Sequence, residues 1–290
     1  MALSLVFSRL SAEDRAERVA GILADAASGR ELLAGLLEAR RGGRVVGAVF
    51  SQVQAGKTAL VWPPRLVAGE PATTAEQLLA RTSRWLDHRQ VRVAHALLET
   101  VTQQDDALLR GAGYEPLAEL LYLVSLSENV PNSPPAGPLE YVAYSAADEG
   151  RLARVIEATY EQTLDCPQLN GVRPIEEILA GYRAAGVFDP TRWLIIRHGG
   201  RDIGCLLLTD HPEHGNWELV YMGLVVSARG NGWGSHIARR AQWLAREAGR
   251  PRLVLAVDAA NAPAIRLYEL LGFRAWDRRG VYLKILSPGG

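Results

Sequence analysis

The chain runs to 290 residues, 48% of them apolar, with 32 basic residues against 32 acidic ones. That length and apolar share fill one large core or two of ordinary size. Balanced charge removes the global field that draws a protein to nucleic acid or a lipid surface, so neither partner is expected.

At the N-terminus there is no basic stretch followed by an apolar run and a small-residue cleavage site. No window approaches the roughly 18 uncharged apolar residues of a membrane span, and a cytoplasmic protein is the expectation. The chain then repeats itself. Residues 42–47 (GGRVVG) read like 199–204 (GGRDIG), an offset of 157. Residues 84–86 (RWL) match 242–244 (QWL) at 158, and Gly113-Tyr114 matches Gly272-Phe273 at 159. Three unrelated local patterns at nearly one spacing mark a duplication. Between the copies, 127–138 (SENVPNSPPAGP) lacks periodicity and reads as a linker, giving domains at 1–126 and 139–290.

The second copy is the clearer. It predicts a strand near 140–144, a helix over 146–163 and a short helix from Pro174, a residue suited to a first helical turn. Apolar runs near 193–197, 203–209 and 217–226 read as strands, parted by the turn-like HGGRD and DHPEHGN. A glycine-rich turn leads into a helix over 232–248, with Ile237, Ala241, Leu244 and Ala248 on one face. A buried strand at 253–257, a helix over 262–271 and two short strands ending at Leu286 complete it. The first copy shows the same order more faintly. The fold class is α/β: two tandem domains, each a mixed, mostly antiparallel sheet flanked by helices. Cys205, in an apolar run, reads as a small buried hydrophobe, and Cys166 as a loop thiol, either incidental or a nucleophile. The two are not in metal spacing, and no metal is expected.

Residues 224–235 (LVVSARGNGWGS) end a strand and open a helix. A helix N-terminus offers unpaired N–H groups and a partial positive charge, a ready phosphate site. Gly230, Gly232 and Gly234 would let the backbone approach a pyrophosphate, and Arg229 could add charge-assisted bonds at the rim. No lysine follows Gly234, so this is not a P-loop, and the spacing is G-x-G-x-G rather than G-x-G-x-x-G. Asp258 ends the next strand, where a ribose-binding acid would stand, which leaves an NAD or S-adenosylmethionine enzyme open.

The next segment, 261–273 (NAPAIRLYELLGF), carries the resemblance. With Arg229, Gly232 and Gly234 matching R/Q-x-x-G-x-G/A, and Asn261, Ala264, Leu267, Tyr268, Gly272 and Phe273 matching N-x-x-A-x-x-L-Y-x-x-x-G-F, the sequence resembles the GCN5-related N-acetyltransferase family. The likeness covers roughly 140–286, and Val226 departs from the proline often found there. It implies acetyl-CoA as co-substrate and a small-molecule or peptide amine as acceptor. It further implies that Met222, Gly223 and Leu224 pair with pantetheine and that the amides of Gly230, Asn231, Gly232, Trp233, Gly234 and Ser235 seat the pyrophosphate. Asn261 falls in the same cofactor set.

Aminolysis of a thioester must deprotonate an ammonium, with a pKa of about 10.4 when lysine-like, and protonate the leaving thiolate. The resemblance gives the acid as Tyr268; an ordinary core tyrosine is the alternative. Glu218, an even six residues before Leu224 and so placed on the same strand face, matches the glutamate base of the family's histone-modifying members; the polar end of a hairpin after His214-Gly215-Asn216 is the alternative. Ala256 stands where other members carry a base. Glu161 and Asp165 could meet a cationic acceptor or be a solvated helix end. In the first copy the repeat sets Thr74 and Glu76 opposite Gly232 and Gly234, Leu60 opposite Glu218 and Leu109 opposite Tyr268. That copy is expected to keep the fold without cofactor or chemistry. A non-catalytic CoA-binding sensor fits the same motifs.

Overall fold

Residues 193–196 and 203–210 are buried without alternation, as in strands covered on both faces. They belong to the second of two compact units, Met1–Leu117 with Gly280–Gly290, and Ala118–Arg279. The computed structural model describes residues 1–27, 32–130 and 132–286. These units differ from the repeat-derived limits in that 118–126 lies with the second and the segment from 280 with the first.

The first unit contains α1 (Ala2–Val6), α2 (Ala12–Ala27), β1 (Leu36–Arg41), β2 (Arg44–Gln54), β3 (Thr58–Leu66), α3 (Ala72–His88), β4 (Val93–Leu98) and α4 (Gln103–Gly111). β1, β2 and β3 pair antiparallel, β3 and β4 parallel, and residues 280–285 add an antiparallel strand beside β4. Its main core gathers Val49, Val61, Leu79, Leu86, Leu109 and Tyr114.

The second unit is entered within β5 (Glu115–Leu126). It continues through β6 (Glu140–Ala143), α5 (Glu149–Tyr160), α6 (Ile175–Arg183), β7 (Trp193–His198), β8 (Arg201–His211), β9 (Asn216–Leu224), α7 (Trp233–Glu247), β10 (Arg252–Asp258), α8 (Ala262–Leu270) and the first half of β11 (Arg274–Ile285). Its strands order as β5-β10-β9-β8-β7-β6, with only β9 and β10 parallel. Ile237, Ala238, Ala241 and Ala245 of α7 pack one face against Leu206, Leu208 and Leu255. Leu152, Val155, Ile156 and Leu179 of α5 and α6 pack the other against Ile195, Cys205 and Leu207. Both units are thus mixed, mainly antiparallel sheets flanked by helices, the expected class.

Two local expectations change. The predicted pair of strands before Leu286 is one continuous strand, β11, in which Gly280 does not turn. A Cβ there would come within 2.6 Å of Val101 Cγ2, so glycine answers a close approach. The strand predicted to reach 226 stops at Leu224, and residues 226–228 form a 3-10 turn. Among the described residues no helix is long and apolar enough to cross a membrane.

Candidate active site

The parallel ladder between β9 and β10 is short. It runs from Asn216↔Arg252 to Glu218↔Val254 and ends, while β10 continues with β5 to Asp258↔Leu120 and β9 continues with β8 to Leu224↔Gly204. The local cause is a bulge: the β8–β9 register steps from Leu208↔Leu219 to Leu207↔Tyr221, leaving Val220 as an extra residue. An extra residue bends and twists its strand. From Leu219 onward β9 has no ladder partner on its β10 side among the described residues. Into this parting opens a cleft of about 390 Å³, lined by Met222, Gly223, Leu224, Asn261, Ala264 and Tyr268 among others. An extended amide chain inserted there would find free main-chain donors and acceptors.

Directly after Arg229, which lines the cleft, the glycine turn opens α7. Gly230 and Gly232 both hold φ near +78°, and Gly232 is the N-cap, without a side-chain capping bond. A side chain would be strained at either position, and no atom lies within 4 Å of where a Cβ would stand, so the turn is open. Gly234 serves packing instead: its Cβ would come within 2.7 Å of Leu267 on α8. Ser235 N–H already donates to Gly232 O at 3.1 Å. Asn231 Nδ2 donates to Ala228 O and Arg229 O, both at 3.2 Å, bracing the turn from within. Trp233 lies beside His198, with ring centres 4.9 Å apart.

Arg229 lines the cleft, and its guanidinium is also engaged by four main-chain carbonyls. Its guanidinium donates to Leu224 O at 3.0 Å, Gln162 O at 2.9 Å, Thr159 O at 2.8 Å and Glu161 O at 2.7 Å. Three of these carbonyls close α5, where a cation answers the helix dipole. The side chain therefore ties α5 to the glycine turn.

Tyr268, on α8, is buried against Phe273 in an edge-to-face contact with ring centres 5.3 Å apart, and it lines the cleft. Burial, aided by the Asp165 charge, pushes its hydroxyl well above the usual tyrosine range, so it is a protonated donor at neutral pH. Asn261 Oδ1 accepts the Ala264 N–H at 3.3 Å, a helix cap. The loop after α5 is strapped to the end of β10: Asp258 N–H donates to Asp165 Oδ1 at 3.0 Å, and Cys166 N–H donates to Asp258 Oδ2 at 3.2 Å. Asp258 thus holds a loop. Burial, with Asp165 and Asp258 adding to it, raises the Cys166 thiol to about 12, so it is no thiolate nucleophile. Glu161 is exposed, and its carbonyl serves Arg229.

Glu218 requires a correction. Because Val220 is bulged, Trp217 and Leu219 share a face with Met222 and Leu224. Glu218 therefore lies on the opposite face from Leu224, the face of Tyr221, and the even-spacing argument fails at the bulge. There it borders a separate cavity of about 620 Å³ with Tyr122, Val124, Val254 and Trp276. Ala256 lines this cavity and the cleft alike. Glu218 Oε2 lies 2.8 Å from His211 Nε2. That bond, with the carboxylate's charge, holds the imidazole above its ordinary 6.5. The sequence reading missed His211, although a partner seven residues upstream across a hairpin turn is a detectable signal. It also missed the tyrosines around Thr159: Tyr221 Oη lies 2.7 Å from Thr159 Oγ1, and Tyr160 Oη lies 3.0 Å from Tyr182 Oη. Their partners are distant in sequence, and no motif marks them.

The first unit preserves the frame. Its parallel ladder runs from Thr58↔Val93 to Leu60↔His95 and stops, the same three rungs displaced by the repeat. Thr102 caps α4 by accepting the Asp105 N–H at 3.1 Å, the counterpart of the Asn261 cap. Beyond it Asp105 is almost wholly buried and paired with Arg65 at 2.8 Å and with Arg9. Where the glycine turn would open a helix stands Thr74, buried and donating to Glu70.

A mixed sheet parted between its two parallel strands, with a glycine turn opening a helix beside the parting, defines the class. Residues 156–273 match the model of the acetyltransferase (GNAT) family. Among curated proteins it is similar to the mycothiol acetyltransferase of Mycobacterium avium strain 104, 31% identical over 201 residues, which are 63% of this chain and 60% of that protein. A second, from Acidothermus cellulolyticus, is 44% identical over 103 residues, 31% of this chain and 32% of that protein. The chain spans 31% and 60% of the lengths of the first two such relatives. Among solved structures, a GCN5-related N-acetyltransferase from Sphaerobacter thermophilus superposes with a TM-score of 0.60 at 16% identity, covering 86% of this chain and 79% of that one. A tandem GNAT protein from the clavulanic acid biosynthesis pathway gives 0.51 at 16% identity, over 87% and 82%. Both likenesses concern the fold.

Proposed function

We propose that the protein transfers an acetyl group from acetyl-CoA to the primary amine of a small molecule, and that the second unit alone carries the chemistry. The observation that carries this reading is the parting of β9 from β10 beyond Glu218↔Val254, with the glycine turn at one end and Tyr268 beside it. Pantetheine lies along the unpaired edge of Met222–Leu224, and the diphosphate meets the exposed amides of Gly230 to Gly234. Arg229 supports that seat indirectly, by fixing α5 and the turn to one another.

The thioester supplies an activated acyl carbon. The amine nitrogen bonds to that carbon, the carbon–sulfur bond breaks, and sulfur leaves with the electron pair. Glu218, from its own face of β9, takes the proton lost by the amine, and Tyr268 donates one to the departing sulfur. Each positioned proton-transfer group is worth about 10²–10⁴-fold. The name shared by the mycothiol acetyltransferase relatives supports a small molecule as acceptor. In the first unit the buried Asp105–Arg65 pair and Thr74 stand where acyl carrier and diphosphate would go, so its role is architectural.

Calorimetry with acetyl-CoA, followed by an assay of free CoA released against a panel of amines, tests the reading. Binding in the micromolar range and amine-dependent release are expected. No heat with acetyl-CoA refutes it.

A further inference from the structure

Resting on that reading, the second cavity defines the acceptor. It is built wholly from the second unit. Its floor is one face of β10 and β5, in rows set by the antiparallel register Arg252↔Leu126, Val254↔Val124 and Ala256↔Tyr122. Glu218 extends the middle row from β9, opposite Val254. The cavity is therefore polarised. His211, His214, Asn216, Glu218 and Arg252 gather toward β9, whereas Val124, Leu126, Val254, Ala256, Tyr122 and Trp276 give the rest an apolar surface.

Two aromatic rings form its far wall. Trp276 is 59% exposed, yet its ring stands edge-on to Tyr122 with centres 5.9 Å apart. The Arg279 guanidinium stacks on Tyr122, 5.2 Å from the ring centre, and bonds Asp277 at 2.8 Å, which holds Tyr122 in place. A large apolar ring left facing an open cavity is a surface for another apolar body. Adjacent strands lie about 4.8 Å apart, so the β5 floor stands roughly 10 Å from Glu218 on β9. That span suits an amine whose ring sits two or three bonds from nitrogen. A polyhydroxylated amine would set its hydroxyls over Val124, Leu126 and Val254, where they lose water without gaining partners.

We infer that the acceptor is an arylalkyl amine, its ring on the Tyr122–Trp276 wall and its nitrogen turned toward the Glu218–His211 end beside Ala256. Trp276 and Tyr122 are then specificity-determining residues, supplied by β11 and β5 rather than by the motif-bearing segments.

The test uses the full chain with acetyl-CoA, comparing 2-phenylethylamine, hexylamine and glucosamine by release of free CoA. The order expected in kcat/KM is phenylethylamine, hexylamine, glucosamine, with at least about tenfold between first and last. Trp276→Ala raises KM for phenylethylamine about tenfold and leaves KM for acetyl-CoA unchanged. Because Trp276 is exposed, its loss spares the core. Preference for glucosamine, or a Trp276→Ala variant indistinguishable from wild type with phenylethylamine, overturns the acceptor class and leaves acetyl transfer standing. Failure of every amine to release CoA overturns both.

Discussion

Glu218 and Tyr221 share one face of β9, three residues apart, because the bulge at Val220 lies between them. The carboxylate therefore approaches the parting of the strands from the face opposite Met222 and Leu224, which pack toward α7 and α8. On the proposed reading, with Glu218 as base and the thioester entering between the strands, the reacting nitrogen sits at the parting itself. Glu218→Gln is expected to lower kcat about 10²–10⁴-fold with little change in the acetyl-CoA dissociation constant. Steady-state kinetics beside calorimetry check this, and equal weakening of both would remove Glu218 from the chemistry.

Tyr268→Phe separates the donor role from packing. Phenylalanine keeps the edge-to-face contact with Phe273 and removes only the hydroxyl. The variant should fold with a thermal midpoint close to wild type, bind acetyl-CoA normally, and turn over about 10²-fold more slowly. A variant with unchanged kcat would leave Tyr268 as a core residue, and the protein would need another acid.

Ala256 lines both cavities, and its side chain there is a single methyl group. Ala256→Leu places a branched chain there on an exposed position, so it obstructs without overfilling a core. Acetyl-CoA affinity is expected within about threefold of wild type, while amine-dependent turnover falls at least about 10²-fold, since misplacement by about 1 Å already costs that much. Undiminished turnover would mean that the acceptor arrives by another route.

These residues were unequally legible in the sequence. Gly230, Gly232, Asn261 and Tyr268 belong to patterns written within single segments, and periodicity placed α7, β10 and α8 to within two residues of their observed limits. The bulge was hidden, because Val220 is extra only relative to the register of β8, and register is a property of two strands. The Arg229 clasp is hidden for a related reason: its carbonyl partners on and beyond α5 lie some seventy residues earlier in the chain. The Asn261 cap is as local, Oδ1 accepting from Ala264 three residues on, and Thr102 caps α4 in the same way in a unit lacking the glycine turn. The compact units, changing at 118 and at 280, do not follow the repeat, because a repeat records where similar segments recur and not which strands they join.

The clasp formed by Arg229 gives a stability prediction. Four carbonyls accept from one planar guanidinium, a geometry that an ammonium cannot reproduce. Arg229→Lys should therefore recover little of what Arg229→Ala loses. Hydrogen bonds to charged groups contribute about 1.5–3 kcal/mol each at most, and these are partly exposed, so a total loss of about 2 kcal/mol is expected. Denaturant unfolding measures it. Acetyl-CoA affinity should fall with it, because the end of α5 and the glycine turn are released together.

The Glu218–His211 pair makes stability depend on pH with a definite sign. Bonding to Glu218 first, and then the nearby charges of Glu218, Glu213 and Asp210, raise the folded-state imidazole above 6.5, against the burial that lowers it. A group raised on folding contributes stability that is fully present below its unfolded value and is lost as pH climbs through its folded value. Glu218→Gln removes the main cause of the shift. The melting temperature of wild type should therefore exceed that of the variant below about pH 6.5, by on the order of 1–2 °C for a partly buried pair. The two curves should converge as the pH rises above the folded-state value. A difference that stays constant across the range, measured by calorimetric melts from acid to mildly alkaline buffer, would mean that His211 is neutral throughout and that the 2.8 Å contact joins a neutral imidazole to the carboxylate.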